Sequence, residues 1–350
     1  MMLTSQAAPK HLIALVKPTN SDMPRERISI MTAESAPIGT SQRSPKVGLF
    51  LPTGEIMLGG VTAGWPDLLE LARRLENLGF DSLWLPDHVL LGRGDGSDAI
   101  GAWECWTLLA ALAATTTRVE LGPLVSCTPF RNPALLAKVA STVDEISGGR
   151  LVLGLGAGWA ESEFHAFGVP FDHRVDRFEE AIQIIAGLLR SGRVDFEGTY
   201  YSAHDCELRP SGPRPHGPPI MVGTWGPRML GLTARYADVW NADFGSTQES
   251  IRSLNDAVDA ACVEVGRDPA TLGRSAALMV DVAGHARPGD HWVADARAGH
   301  ALSGSTEELA TALRAYADAG IGHVQVWLEP NTVAGVEAFA PVLEVLDRRE

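Results

Sequence analysis

An aspartate and a histidine stand side by side at residues 87 and 88, directly after the short apolar segment 82–85. An imidazole titrates near neutral pH, so His88 is suited to donate or accept a proton, and Asp87 could orient that ring or cap the loop. The simpler interpretation is a turn aspartate next to a histidine that is hydrogen-bonded within the loop. We take Asp87 and His88 as the candidate catalytic pair.

In the stretch 148–171, a Leu- and Val-rich strand runs into glycines at every second position, Gly154, Gly156 and Gly158, and then into an acidic helix. The backbone N–H groups at the start of such a helix can bind a phosphate or another anion. The spacing is not the dinucleotide fingerprint G-x-G-x-x-G, so a Rossmann site is not indicated. The alternative is that these glycines only allow close packing of strand and helix.

A second glycine turn, Gly223-Thr224-Trp225-Gly226, also precedes a predicted helix. The two turns together could hold a phosphate between them. Trp159 and Trp225 lie in these turns, where their rings could flank a planar ligand, although core packing is the commoner use of tryptophan.

The remaining residues exclude several kinds of chemistry. Lys138 is the only lysine after Lys46 and falls inside a predicted helix, which excludes a Schiff-base aldolase. No G-x-S-x-G elbow occurs, no metal-ligand set is evident, and the four cysteines lie far apart without a C-x-x-C pair. A site poor in reactive groups suits a cofactor that carries the chemistry itself.

Apolar runs and helical periodicity alternate from residue 46 onward. The predicted strands are 47–51, 82–85, 119–125, 151–155, 219–222, 238–241, 276–282 and 323–328, and the predicted helices are 65–78, 103–116, 133–146, 172–190, 227–236, 247–265, 305–319 and 333–346. Residues 196–218 are polar and proline-rich and interrupt the alternation. We therefore predict an α/β fold, the (β/α)8 TIM barrel, with a hairpin and loop inserted after strand 4; a doubly wound sheet is the alternative.

Composition and charge restrict the partners and the location. The net charge of −14 argues against nucleic-acid and anionic-membrane partners. No apolar run has the length of a membrane helix or a signal peptide, so we expect a soluble, cytoplasmic protein. Residues 1–45 contain no aromatic residue and show no periodicity, which predicts a disordered extension before a barrel at 46–350; a start site annotated too far upstream, with Met31 nearer the true one, explains the same pattern.

Three segments resemble a known family: DSLWLPDHV at 81–89, LGPLVSCTPFRNPALLAKVASTVDEISGGRLVLGLGAGW at 121–159, and PIMVGTWGPRMLGLTARYADVWN at 219–241. Over residues 46–346 the chain is similar to the luciferase-like monooxygenase family of flavin and deazaflavin barrels. The resemblance is strongest to its branch of deazaflavin (coenzyme F420)-dependent oxidoreductases.

The resemblance implies roles for individual residues. His88, with Asp87, would lie near the deazaflavin ring. A cis peptide bond in a bulge behind the ring is expected at Leu124 and Val125, with Ser126 and Cys127 adjoining it. The residues that would hold the cofactor's phosphate and ribityl tail are Ala157, Gly158, Trp159, Gly223, Thr224 and Gly226, with Trp225 in the same turn.

Departures from the family pattern narrow the function. Ala157 stands where the FMN-dependent branch has a phosphate-binding arginine, and Trp159 stands where the sugar-phosphate dehydrogenases have a glutamate. The resemblance therefore implies coenzyme F420 rather than FMN, an uncharged or hydrophobic substrate, and His88 as the main proton donor. It also implies a homodimer.

Two other functions remain open. One is a two-component monooxygenase that binds reduced FMN and needs a separate flavin reductase. The other is a flavin-binding barrel without catalysis.

Overall fold

The computed structural model describes residues 43–91, 99–244, 246–282 and 301–348. These residues belong to one compact unit. Of the predicted N-terminal extension, residues 1–42 lie outside the described part of the chain, so its disorder stays a prediction.

Parallel strands form the main sheet, and its order is β5-β2-β1-β14-β12-β11-β10-β7-β6, with β13 paired to β12. The strands are β1 (Lys46–Phe50), β2 (Ser82–Leu85), β3 (Leu90–Leu91), β4 (Ile100–Gly101), β5 (Glu120–Pro123), β6 (Ser126–Cys127), β7 (Leu153–Gly156), β8 (Arg193–Glu197), β9 (Ser202–Glu207), β10 (Ile220–Gly223), β11 (Val239–Ala242), β12 (Gly273–Asp281), β13 (Leu302–Ser303) and β14 (His323–Glu329). The first and last strands of this order, β5 and β6, are two pieces of one strand position interrupted at residues 124–125. The sheet is therefore a barrel of eight strand positions, and the predicted TIM barrel is confirmed.

Helices follow the barrel strands and cover the outside. They are α1 (Trp65–Asn77), α2 (Cys105–Thr115), α3 (Pro133–Ser147), α4 (Glu161–Ala166), α5 (Arg174–Ser191), α6 (Pro227–Tyr236), α7 (Gln248–Glu264), α8 (Thr306–Asp318) and α9 (Val333–Asp347). Their ends agree with the sequence signals: Asn132 caps α3, left-handed Gly148 ends it, and Ser305 with Glu308 forms a capping box on α8. None of the described helices is long and apolar enough to cross a bilayer.

The predicted insertion is a two-stranded hairpin, β8–β9, followed by a loop that leads to β10. It begins at Arg193 rather than at residue 196, because left-handed Gly192 ends α5 and turns the chain at once. Glu180 on α5 accepts hydrogen bonds from the backbone N–H groups of residues 199, 200 and 201, at 2.7, 2.8 and 2.9 Å. The hairpin turn is thus attached to the helix that precedes it.

Side chains alternate between the helical layer and the barrel interior along each strand. On β14, the residues at 324, 326 and 328 join the large core beneath the helices, whereas Trp327 packs with Phe50 and Trp84 inside the barrel. On β14 the residues of this inner face change from His323 and Gln325 at the N-terminal end to Trp327 towards the C-terminal end. The aromatic layer lies beneath the end of the barrel at which the strands terminate.

His323 lies at the N-terminal end of the barrel and predicts an acid-sensitive stability. Its Nε2 is 2.7 Å from Ser82 Oγ, and burial lowers its pKa to about 4. An unfolded histidine titrates near 6.5, so between about pH 6.5 and 4 the unfolded chain binds more protons and stability falls as pH falls. Because His323 as a whole residue is not fully buried, we expect a loss of only roughly 2 kcal/mol across this window.

The matched variant is His323→Gln, which keeps a hydrogen-bonding group near Ser82 but does not titrate. Urea unfolding at pH 7 and pH 4.5 should show a smaller loss of stability on acidification in this variant than in the wild type. Equal losses in the two proteins would contradict the assignment.

Candidate active site

All of the sequence-predicted site residues lie at one end of the barrel. Residues 87 and 88 follow β2, and residues 124–127 comprise the break between β5 and β6 together with β6 itself. Residues 157–159 follow β7, and residues 223–226 lead from the end of β10 to α6. Strand β7 pairs with β6 on one side and with β10 on the other. Because parallel strands end at the same rim, these segments meet around one opening.

The carboxylate of Asp87 is buried and binds β6 and the turn that follows β6. Its Oδ2 accepts hydrogen bonds from Ser126 Oγ at 2.8 Å and from the backbone N–H of Cys127 at 2.9 Å. Arg131 donates to both carboxylate oxygens, at 2.6 and 2.9 Å. The expectation that Asp87 orients His88 is corrected, because these three groups take its hydrogen bonds.

Arg131 was not anticipated by the sequence analysis. Its side chain, 18% exposed, lies between Asp87 and Glu104, and it contacts Glu104 Oε1 at 2.5 Å. Burial alone would lower the pKa of Arg131, but the two carboxylates outweigh burial and raise it. The guanidinium stays charged and links the loop after β2 to the start of α2.

Glu163 supplies the carboxylate that contacts His88. The distance from His88 Nδ1 to Glu163 Oε2 is 2.8 Å, and Oε1 accepts the backbone N–H groups of Val89 and Leu90 at 2.8 and 3.0 Å. The Glu163 side chain is 2% exposed and that of His88 27%. Burial would raise the pKa of Glu163, but the bond and charge of His88 and the two N–H donors outweigh burial and lower it.

Trp159 flanks the same histidine. The two rings meet edge to face with their centroids 5.5 Å apart. The tryptophan is 55% exposed, so it does not serve the core packing that was its alternative interpretation. The imidazole therefore has a buried carboxylate at Nδ1 and an exposed indole beside the ring.

The break between β5 and β6 contains the cis peptide bond that the resemblance implied. The peptide bond between Leu124 and Val125 is cis. The Val125 side chain packs against Gly156 of β7 and Gly223 of β10. A Cβ atom added to Gly156 would lie 2.6 Å from Val125 Cγ2, and one added to Gly223 would lie 3.2 Å from Val125 Cγ1. Beside it, burial raises the pKa of the Cys127 thiol, so this cysteine is not an activated nucleophile.

The first glycine turn is filled by protein. A Cβ on Gly154 would lie 2.1 Å from Pro123 O, and one on Gly158, where φ is +78°, would lie 2.6 Å from Phe164 and 2.7 Å from Cys127 Sγ. Close packing, the alternative interpretation of these glycines, therefore describes Gly154, Gly156 and Gly158. Ala157 and Gly158 are partly exposed.

Arg174 supports this turn from α5. It donates to the carbonyl oxygen of Gly158 at 2.7 Å and stacks on Phe171 at 4.1 Å. Further along this helix, Arg177 contacts Asp172, and Glu179 contacts Arg228.

The second glycine turn is exposed at Trp225 and partly exposed at Gly226. Gly226 is the N-cap of α6 and provides no capping side chain, and a Cβ placed on it would meet nothing within 4 Å. Trp225 is 66% exposed, whereas Thr224 is buried and its carbonyl accepts a hydrogen bond from Trp240. The start of α6 thus has no capping side chain and has open space at Gly226, although Pro227 at its first position supplies no N–H.

An aromatic group lies inside the barrel, where Phe50 and Trp327 are buried and Phe244 packs against them. Phe50 and Trp327 stack with centroids 5.1 Å apart, and Phe244 meets their rings edge-on at 5.3 and 5.8 Å. Among the described residues, no group of histidine, cysteine and carboxylate side chains is arranged to hold a metal ion. Residues 92–98 and 283–300 lie outside the described ranges.

A parallel barrel with a histidine, exposed tryptophans and an open glycine turn at the C-terminal strand ends has the architecture of a TIM-barrel enzyme. The chain belongs to the luciferase-like monooxygenase family, whose family model matches residues 46–287. The resemblance noted in the sequence is thereby confirmed, and the protein is an enzyme.

The relatives of this chain include an enzyme that is named as F420-dependent and a ketoreductase. An F420-dependent glucose-6-phosphate dehydrogenase of Amycolatopsis mediterranei is 35% identical, over 52% of this chain and 55% of its own. A phthiodiolone/phenolphthiodiolone dimycocerosates ketoreductase of Mycobacterium tuberculosis is 32% identical, over 61% of this chain and 64% of its own. The chain thus spans less than two thirds of the length of these relatives.

Solved structures share the fold. An F420-dependent secondary alcohol dehydrogenase in complex with an F420-acetone adduct superposes with a TM-score of 0.72 at 20% identity, covering 88% of this chain and 100% of that one. The monooxygenase RslO1 from Streptomyces bottropensis gives 0.66 at 22% identity, covering 86% and 99%. At these identities the likeness concerns the fold alone.

Proposed function

We propose that this enzyme transfers a hydride between coenzyme F420 and an uncharged or hydrophobic organic substrate. The observation that carries the proposal is the half-buried His88, held at Nδ1 by Glu163 at the rim of the barrel. Among the described residues, Nε2 of this ring has no protein partner, so it is the atom that can exchange a proton with a substrate. The relatives named as F420-dependent support the choice of coenzyme.

The residues present fit a deazaflavin with a phosphate-bearing tail. Gly226, where an added side chain would meet open space, and the uncapped start of α6 would hold the phosphate, with the backbone of Gly223 and Thr224 leading into this turn. Val125, at the bulge, would lie behind the ring. When bound, the deazaflavin supplies the carbon that carries the hydride.

The chain's own residues account for the remaining requirements. His88 would give a proton to the substrate oxygen in the reducing direction and take it back in the oxidising direction. Phe50, Phe244 and Trp327 make the interior of the barrel near the site apolar, which supports an uncharged or hydrophobic substrate. Lys138, the one lysine after Lys46, donates to the carbonyl of Arg209 and does not serve a sugar phosphate.

The phosphate site can be tested by fluorescence titration of the protein with F420 and, separately, with FMN. Gly226→Asp places a carboxylate at the N-cap of α6, which favours the helix but repels a phosphate. We expect micromolar F420 binding by the wild type and at least about tenfold weaker binding by this variant. Gly226→Ala is the matched control, because its methyl group enters open space, and it should bind nearly as the wild type does.

Preference for FMN would favour the two-component monooxygenase and overturn the choice of coenzyme. Equal binding by the Gly226→Asp and Gly226→Ala proteins would remove the phosphate from this turn. Binding of neither coenzyme would overturn the proposed function.

A further inference from the structure

The rim of the barrel holds a histidine–carboxylate pair that joins two separate strand ends. His88 follows β2, whereas Glu163 lies on α4 after β7, and their side chains meet at 2.8 Å. We propose that Glu163 is the positioning residue of this site: it fixes the tautomer and the orientation of the His88 ring so that Nε2 faces the substrate. The catalytic meaning of this pair rests on the proposed function.

The Glu163 carboxylate is held in place by several hydrogen bonds. Its two oxygens accept three hydrogen bonds, one from His88 and two from the backbone of Val89 and Leu90. The next residue, Phe164, anchors α4 between Phe130 and Phe171, with centroid distances of 5.0 and 5.2 Å. A carboxylate fixed in this way fixes the ring that bonds to it.

The charge of Glu163 determines which ring nitrogen carries the proton. The lowered pKa of Glu163 keeps its carboxylate ionised, and an ionised carboxylate only accepts hydrogen bonds. The Nδ1 atom of His88 must therefore carry hydrogen. In the neutral ring Nε2 is then a base, and in the protonated ring it is an acid directed at the opening.

The other ionisable groups around the pair are occupied elsewhere. Asp87, the chain neighbour of His88, bonds to Arg131, and Arg174 donates to the carbonyl of Gly158. Burial raises the pKa of the Cys127 thiol, so it stays neutral. Within the described ranges, Glu163 is the one charged side chain hydrogen-bonded to His88.

The proposal can be tested without coenzyme through the tautomer of His88. In Glu163→Gln the amide oxygen can still accept the N–H groups of Val89 and Leu90, which turns the amide nitrogen towards Nδ1 and reverses that hydrogen bond. Nitrogen-15 NMR of histidine-labelled protein, with the signals assigned by comparison with His88→Gln, should show hydrogen on Nδ1 in the wild type and on Nε2 in Glu163→Gln. An unchanged tautomer in the variant would overturn the proposal.

The matched control is Glu197→Gln on the β8–β9 hairpin. Glu197 is an exposed glutamate that also contacts a histidine, its Oε2 lying 3.1 Å from His204 Nε2. This change should leave the His88 signals and the activity as in the wild type. A change at His88 in the control protein would show that the readout is not specific and would overturn the assignment.

Kinetics provide a second readout, with an aliphatic ketone and reduced F420 as the probe reaction. We expect Glu163→Gln to lower kcat about ten- to a hundredfold, with little change in KM for F420. The limb of the pH–rate profile that reports the acid should also move to lower pH, because the imidazolium loses its ionised partner. Glu163→Asp keeps the charge on a shorter side chain and should retain the wild-type limb with a smaller loss of kcat.

Equal losses of kcat in the Gln and Asp variants, with the wild-type pH profile in both, would assign Glu163 a purely structural role and overturn the proposal. Failure of the proposed function gives a different result. In that case the tautomer would still change in Glu163→Gln, while the wild type would neither bind nor turn over F420.

Discussion

Replacement of His88 by glutamine is expected to lower turnover by about 10²- to 10⁴-fold, the usual contribution of a positioned general acid or base. The amide of glutamine can still donate to Glu163, so the loop after β2 should keep its conformation. Only the group that titrates is removed. The measurement is steady-state turnover with F420, together with F420 affinity, which should change little.

His165→Gln is the control for this substitution. His165 is exposed on α4, two residues after Glu163, and it does not share the contact of Glu163 with His88. Turnover of this variant should therefore equal that of the wild type. Turnover of the His88 variant within a few fold of the wild type would remove His88 from proton transfer. Coenzyme bound by a wild type that turns over no substrate would favour the non-catalytic barrel.

Conversion of Asp87 to asparagine is expected to destabilise the protein by about 3–5 kcal/mol. The change keeps the shape but leaves Arg131, whose side chain is 18% exposed, without its bidentate partner. Arg131 then keeps only its contact with Glu104, whose side chain is 43% exposed, and Ser126 and Cys127 lose a charged acceptor at the same time. Urea unfolding at pH 7 measures the loss.

A double-mutant cycle with Arg131→Met separates the pair from other effects of the substitution. The Asp87→Asn, Arg131→Met protein should be more stable than the sum of the single changes predicts, because no unpaired charge remains. A loss below about 1 kcal/mol for Asp87→Asn, combined with a large loss of kcat, would instead return Asp87 to a chemical role.

Much of the fold could be predicted from local patterns. Helix ends at Asn132, Gly148 and Ser305 coincide with their capping signals, and the alternation of elements identified the barrel. The barrel in turn brings the predicted segments together, because all parallel strands end at one rim. The position of His88 at that rim therefore follows from its place after β2.

The partners of the predicted residues could not be found in this way. Glu163 lies 75 positions from His88, and Arg131 lies 44 from Asp87. In the sequence alone, several carboxylates could be the partner of His88. Asp87 is the nearest along the chain, and Glu161 and Glu163 lie on one short helix. The helical phase of α4, which buries Glu163 and exposes Glu161, decides between them.

The sequence by itself determined which segments become strands, which residues stand at their ends and which family the chain resembles, because these depend on local periodicity, caps and motifs. Only the tertiary structure decided that Asp87 binds Arg131, that Glu163 binds His88, and that the glycine turn at 154–158 is packed while Gly226 in the second turn borders open space. Side-chain pairing and free volume depend on atoms brought close across the barrel from distant parts of the chain. Local sequence does not encode those distances.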